Sequence, residues 1–546
     1  MKIENLDHLG LVAGIIDELG LVELTDKLVE GKPHRHISTG QVVKAMILNC
    51  FGFISAPLYL FSEFFESKPI EHLLGEGVKA SHLNDDRLGR ALDELYAYGT
   101  SHFFLQVAIA AAAKFEVDIS QGHLDSTSIA VHGEYKKPTP EAQEELVITS
   151  EQEAEPVAIE VVRGYSRDHR PELKQFMVNL VCSRDGGVPL GLKVGNGNDS
   201  DAQQFGKLMK EFKERWTTNQ MLVVDAAFYS EPNLQEVKSL KWLSRVPQTL
   251  KEAKHLISTE EKKLTEGECD LEDYRLWEIE KEYGGIPQRW ILIESQNRKA
   301  DASLWEPELE KLERHLNKQL KALSKQIFAC KPDALEALLR FEQTLETHAL
   351  ESYCVETIRT RRIPGRPPKE KAPQEVEGYR LQAKLVRKEK TEEHYQQKRS
   401  RFILATNELD LSEWPAQKLL LEYKNQQKVE RGFRFLKDPL FFTSSVFVKK
   451  TTRVEALALL MALTLLVYTL AERKLRQSLR DNQQTVLSQL KKKTASPTFR
   501  WIIQKFQGIH LVTLDHSTTI SNLSDERQQI IHLLGPPIAC YYLLFG

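Results

Sequence analysis

The chain has 546 residues, 41 % hydrophobic and 28 % charged, enough apolar mass for several buried cores and too much for a disordered polymer. Lys plus Arg number 74 and Asp plus Glu 77, a formal charge of −3, which excludes a uniformly basic DNA-coating protein and an acidic tail protein but leaves local basic patches open. Cys50, Cys182, Cys269, Cys330, Cys354 and Cys540 include no CxxC pair, so a disulfide scaffold or zinc ribbon is not expected and a reducing, cytoplasmic setting fits.

In chain order, MKIENLD lacks a signal pattern, and residues 1–117 read as an all-helical N-terminal domain. Ser38 is placed to cap the apolar-periodic run Val42, Ala45, Met46, Cys50. Asn84 or Asp85 precedes Leu88, Leu92 and Leu95, spaced four then three. Phe103–Phe115, with Ala110–Ala113 near its centre, has the small residues of a closely packed helix.

From Gln121 the period becomes that of strands. HLDSTSIAVHG, QFMVNLVCSRDG and VPLGLKVGNG predict three successive strands, with Asp185-Gly186-Gly187 turning the second into the third. A helix over 202–216, the strand MLVVD, a helix over 232–240 and the strand WLSRV follow, while 136–160 reads as an exposed loop. The order β-β-β-α-β-α-β makes the fold class α/β, a mixed sheet with helices on its faces. Residues 118–249 form the first part of this core.

Residues 250–400 read as a large α/β insertion. It has strand candidates at 274–279, 289–294, 353–360 and 379–386, and a long charged helix over 300–350. Leu309, Leu312, Leu316, Leu320 and Leu323 stripe one face of that helix. RFILAT then opens the second part of the core, 401–483, with helices over 415–437 and 453–480. Val454–Leu470 is apolar for about 17 residues, the lower edge of a membrane span, yet contains Glu455 and Thr464. It is read as a buried core helix, and no membrane partner is expected. Residues 484–546 are a mixed C-terminal segment.

Chemistry concentrates in carboxylates. Asp125 lies inside a predicted strand, where a carboxylate is costly without a metal, a charge or hydrogen bonds. Asp225 ends MLVVD at the strand edge where open α/β sheets bind ligands. Either alone is equally a capping or turn aspartate, and Ser126 and Thr127 are either strand polars or groups orienting Asp125. Glu430 belongs to LEYKNQQKVERGFRFLKDP. At about 100° per residue, Tyr423, Gln426, Glu430, Arg434 and Lys437 share one helix face, which by itself also describes a solvated face with a Glu430–Arg434 pair. Brought together, Asp125, Asp225 and Glu430 would need cations to coexist ionised. Their hard oxygens suit two Mg²⁺ or Mn²⁺ ions, the arrangement that drives phosphoryl transfer. GxSxG and the Walker loop are absent.

These residues resemble a DDE transposase of a bacterial insertion sequence, of the class with a Tyr-x2-Arg-x3-Glu-x6-Lys signature. Tyr423, Gln426, Glu430 and Lys437 keep its spacing, with glutamine in place of the arginine. HLDSTS (123–128), GYSRDHRPELKQF (164–176), VVDAAFYS (223–230) and WLSRVP (242–247) extend the likeness over about 120–480, and NDDRLGRALD (84–93) extends it to one branch of the group. The resemblance implies a ribonuclease-H-like core with Asp125, Asp225 and Glu430 as the catalytic, metal-binding triad. It implies cleavage at terminal inverted repeats and joining of the freed 3′ hydroxyl to target DNA, by a homodimer in a synaptic complex on double-stranded DNA. Tyr423 and Lys437 carry over as DNA contacts. Gln426 keeps a hydrogen bond to phosphate but lacks the charged fork, and Arg434 is a candidate to compensate. A nuclease without strand transfer and a catalytically silent DNA-binding regulator are the alternatives.

Between Arg359 and Arg401, 14 Lys/Arg face 6 Glu. This stretch contains RTRRIPGRPPKEK, in which Arg362 precedes Pro364-Gly365-Arg366-Pro367, a run similar to an AT-hook core. It reads as a basic loop contacting phosphates, with minor-groove reading as the alternative. Lys449, Lys450 and Arg453, and Lys491–Lys493, are weaker basic clusters. The helical N-terminal domain is the expected reader of the DNA ends.

Overall fold

A computed structural model describes residues 1–29, 36–52, 61–132, 135, 158–166, 170–199, 201–216, 221–259, 266–267, 271–361, 375–426, 448, 450–515 and 517–544. The first element departs from the helical expectation. Lys2–Asn5 is a strand (β1), paired antiparallel with His510–Leu514 near the other end of the chain, Ile3 opposite Val512. A four-residue run carries no periodicity of its own, so its conformation comes from that distant partner.

Helices then dominate to Lys114, and local chemistry accounts for their starts. Ser38 accepts from Gln41 N while the Gln41 side chain returns to Ser38 N, a full capping box on Thr39–Cys50. Asn84 caps Asp85–Tyr98 through Arg87 N.

The strands β2 (Gln121–Val131), β3 (Lys174–Ser183), β4 (Pro189–Gly195), β5 (Met221–Val224), β6 (Lys241–Arg245), β7 (Glu266–Gly267), β8 (Tyr274–Tyr283), β9 (Ile286–Ser295) and β12 (Arg401–Thr406) form one sheet. Its order is β4-β3-β2-β5-β6-β12-β9-β8-β7. β2, β5 and β6 are parallel, and the other described pairings are antiparallel. Gly186 and Gly187 take φ of 84° and 70° in the turn between β3 and β4, a conformation that favours glycine. The strand candidates at 274–279 and 289–294, read as insertion, extend to Tyr274–Tyr283 and Ile286–Ser295 and lengthen this sheet. β10 (His348–Arg361) and β11 (Glu375–Arg387) pair separately as a long hairpin. It packs with Glu306–Ser324 and Lys331–Gln343 around Leu320, Leu338 and Leu381.

The helix Thr451–Asp481 is long and apolar enough to cross a membrane by length and composition, but 83 % of its most apolar 18-residue window is buried inside the protein. Its neighbours include Thr39–Cys50, Asp85–Tyr98, Thr100–Lys114, β4 and Asp525–Leu534. Thr464 satisfies its hydroxyl on Leu460 O at 2.8 Å. Arg453, one of the expected basic cluster, is instead fixed to Asp93 at 2.6 and 2.7 Å.

Candidate active site

The parallel register builds the centre. Gln121, His123 and Leu124 of β2 stand opposite Met221, Val223 and Val224 of β5, and Met221, Val223 and Val224 stand opposite Lys241, Leu243 and Ser244 of β6. One step further along, Asp125, Asp225 and Arg245 come abreast. Asp225 lies just past the ladder, yet its φ of −71° and ψ of 166° continue the extended backbone. Neighbouring strands are about 4.8 Å apart, so the two aspartates occupy adjacent positions at the edge where parallel α/β sheets gather ligands.

Side chains two residues apart share a face. Met221, Val223, Leu243 and Leu404 pack against Leu419 and Leu420 of the helix Ala416–Asn425. Asp225 and Arg245 lie on that same face, and Asp125 joins them by register. Each carboxylate is tied to its adjoining backbone: Asp125 Oδ1 accepts from Ser126 N at 2.8 Å, and Asp225 Oδ1 from Ala226 N at 2.6 Å. Ser244 Oγ donates to the Asp225 carbonyl at 3.2 Å, fixing the strand end. Both residues are half-buried. Among the described residues no Lys or Arg forms an ion pair with Asp225. Burial and the Asp125 charge together push the Cys182 thiol far up, so it stays a neutral wall residue.

Ser126 points to the opposite face. Its hydroxyl donates to Asn179 Oδ1, and Asn179 Nδ2 donates to Lys193 O at 3.1 Å. This relay ties β2, β3 and β4 together and gives the Ser126 hydroxyl a role as a strand polar.

The signature helix begins over this face. Glu422, 1 % exposed, receives Arg184 at 2.9 Å, and the Gln121 amide, with its nitrogen toward the carboxylate, donates to it at 3.0 Å. Helix and sheet are thereby joined by charge as well as by leucines. Tyr423 is half-buried, its ring 6.1 Å from that of Phe402. Gln426 follows the last helical residue and is 8 % exposed. Glu430, Arg434 and Lys437 lie outside the described residues. So do Arg362 and Arg366, in the connection between β10 and β11. Among the described residues no three of His, Cys, Asp and Glu gather as a metal site. The aspartate pair supplies hard oxygen donors on one face, the donor type of Mg²⁺ or Mn²⁺.

Arg245, Phe402, Arg184 and Glu422 were not singled out from the sequence. WLSRVP contained Arg245, but its neighbours become visible only through the register of three strands.

The α/β sheet thus carries two aspartates side by side at its parallel edge, with oxygen donors of the kind divalent-ion chemistry uses. Residues 118–467 match the family model described as Transposase DDE domain. The chain belongs to the DDE transposase family. Residues 1–109 match a second model, described as Domain of unknown function (DUF4277). No curated protein matches. Among solved structures the chain is similar to a cryo-EM piggyBac transposase synaptic complex with hairpin DNA. Identity is 8 %, coverage is 92 % of this chain and 79 % of that one, and the TM-score is 0.36, a likeness that carries no inference about mechanism.

Proposed function

We propose that the protein is a DNA transposase that cuts double-stranded DNA at the terminal inverted repeats of its element and joins the freed 3′ hydroxyl to target DNA. The observation that carries this reading is the register that brings Asp125 and Asp225 abreast, on the face over which the helix toward Glu430 packs. The β4-β3-β2-β5-β6 half of the sheet, with β3 antiparallel between β2 and β4, supports a ribonuclease-H-like core. That core is assigned to 118–249 and 401–483, interrupted by 250–400.

Asp125, Asp225 and Glu430 would hold two Mg²⁺ (or Mn²⁺) ions. When bound, the ions supply charge stabilisation at the phosphodiester and ionise the attacking water or hydroxyl. The chain's own residues orient the substrate. Tyr423 offers a ring at the site, and Gln426 a neutral hydrogen bond. Arg434 and Lys437 offer positive charge, and Arg362 and Arg366 contact flanking phosphates. The N-terminal helices read the ends, and a homodimer holds two ends together in the cytoplasm, without membrane attachment.

The test is a strand-transfer assay with end duplexes, target DNA and Mg²⁺. The expected result is product joined to target, lost in Asp125→Ala, Asp225→Ala and Glu430→Ala while end binding survives. Cleavage without joining would make the protein a nuclease, and binding alone a silent regulator. Retained cleavage in any one variant removes that residue from the triad.

A further inference from the structure

We infer that Arg245 is a substrate-binding residue of this site, the cation that grips the phosphate next to the scissile bond in place of the signature arginine that position 426 lacks. The inference rests on the transposase reading above. Four observations converge on it. Arg245 follows Ser244 in register with Asp225 and shares its face of the sheet. Its guanidinium lies 5.4 Å from the centroid of Phe402, whose ring leans on Tyr423. It is half-buried, yet among the described residues its guanidinium makes no hydrogen bond or ion pair. Arg289 and Arg401 of the same sheet, by contrast, are paired with Glu278 and Glu294.

A half-buried guanidinium without a carboxylate is costly unless something anionic arrives. A guanidinium held over an aromatic face can still offer its N–H edges to two oxygens of one phosphate. Gln426, next to Tyr423 by one helical turn, can add a hydrogen bond but no charge. Arg245 supplies the charge from β6 instead.

The experiment uses the full chain, a duplex carrying one terminal repeat, and Mg²⁺ under single-turnover conditions. Arg245→Ala is expected to cut about 100-fold more slowly, the scale of losing one charge-stabilising donor, with its melting temperature unchanged. Arg245→Lys, which keeps charge without the fork, should fall between. Adding Gln426→Arg to Arg245→Ala should recover at least about tenfold, roughly 1.4 kcal/mol of transition-state stabilisation. In an Asp225→Ala background without divalent ions, Arg245→Ala should make the salt dependence of binding shallower by about one unit. Cleavage within about twofold of wild type overturns the inference. So does a rate loss with a lowered melting temperature and an unchanged salt slope, which would make Arg245 only a packing partner of Phe402. Absence of recovery in the double variant overturns the substitution for position 426. If wild type itself does not cut, the transposase reading has failed, an outcome distinct from failure of Arg245 alone.

Discussion

His8 is kept neutral by its surroundings. It is buried, one ring nitrogen lies 2.7 Å from Phe51 O and the other 3.1 Å from Gln507 Nε2, and burial lowers its pKa from 6.5 to about 4. The unfolded chain therefore binds a proton here that the folded chain refuses. The stability contributed by neutral His8 is complete above pH 6.5 and is lost as pH falls toward 4, about 3 kcal/mol across that window. Urea unfolding at pH 7.5 and 4.5 should show this acid loss in wild type and a smaller one in His8→Gln. Equal losses in both would exclude His8 as the source. Asp125 and Asp225 draw notice in the sequence because a carboxylate in or at the end of an apolar strand is costly without a partner, and the register sets the two side by side. Glu422 draws no such notice, because the groups that justify its burial, Gln121 and Arg184, lie far off in the chain.

Strand pairing places a second buried charge where elements meet. Arg401 opens β12 directly opposite Glu294 of β9, both side chains 0 % exposed and 2.7 Å apart. Arg401 also donates to Ile257 O at 3.1 Å and Thr259 O at 2.9 Å. Arg401→Met leaves the buried Glu294 with the partly exposed Lys299 at 3.0 Å and the Gln296 amide at 3.1 Å, and should cost about 3 kcal/mol of unfolding free energy. A double-mutant cycle with Glu294→Gln should recover a large part. Additive losses would mean the two charges do not depend on each other. Elements themselves were readable where their signals are local: the Ser38 cap, the Asp185-Gly186-Gly187 turn, the run of β2 and the leucine stripe of Glu306–Ser324. What the sequence did not show is partnership. β1 becomes a strand only against His510–Leu514, and 274–295, read as insertion, joins the large sheet.

Across the whole molecule, the two chain ends complete each other. Helix Leu9–Leu19 presents Gly10 and Gly14 to the C-terminal helix Pro536–Tyr542, so closely that a Cβ on Gly14 would meet the Ile538 backbone at 2.8 Å. Tyr542 Oη donates to Asp7 O at 2.7 Å and accepts from Leu11 N at 3.1 Å. Tyr541 bonds Asp17 and receives buried Lys44 at 3.0 Å. Removing 536–546 would strip the apolar cover from Gly10 and Gly14 and leave Lys44, whose pKa burial already lowers, with Asp17 alone. Large deletions of buried partners cost several kcal/mol. The truncated chain should therefore melt at a clearly lower temperature and bind a hydrophobic dye. A fragment of residues 1–117, lacking both this helix and the strand partner of β1, should show no cooperative unfolding transition by circular dichroism. A sharp, two-state melt of that fragment would show that the N-terminal helices fold on their own. The docked C-terminus would then be an accessory to a finished domain, with no part in forming it.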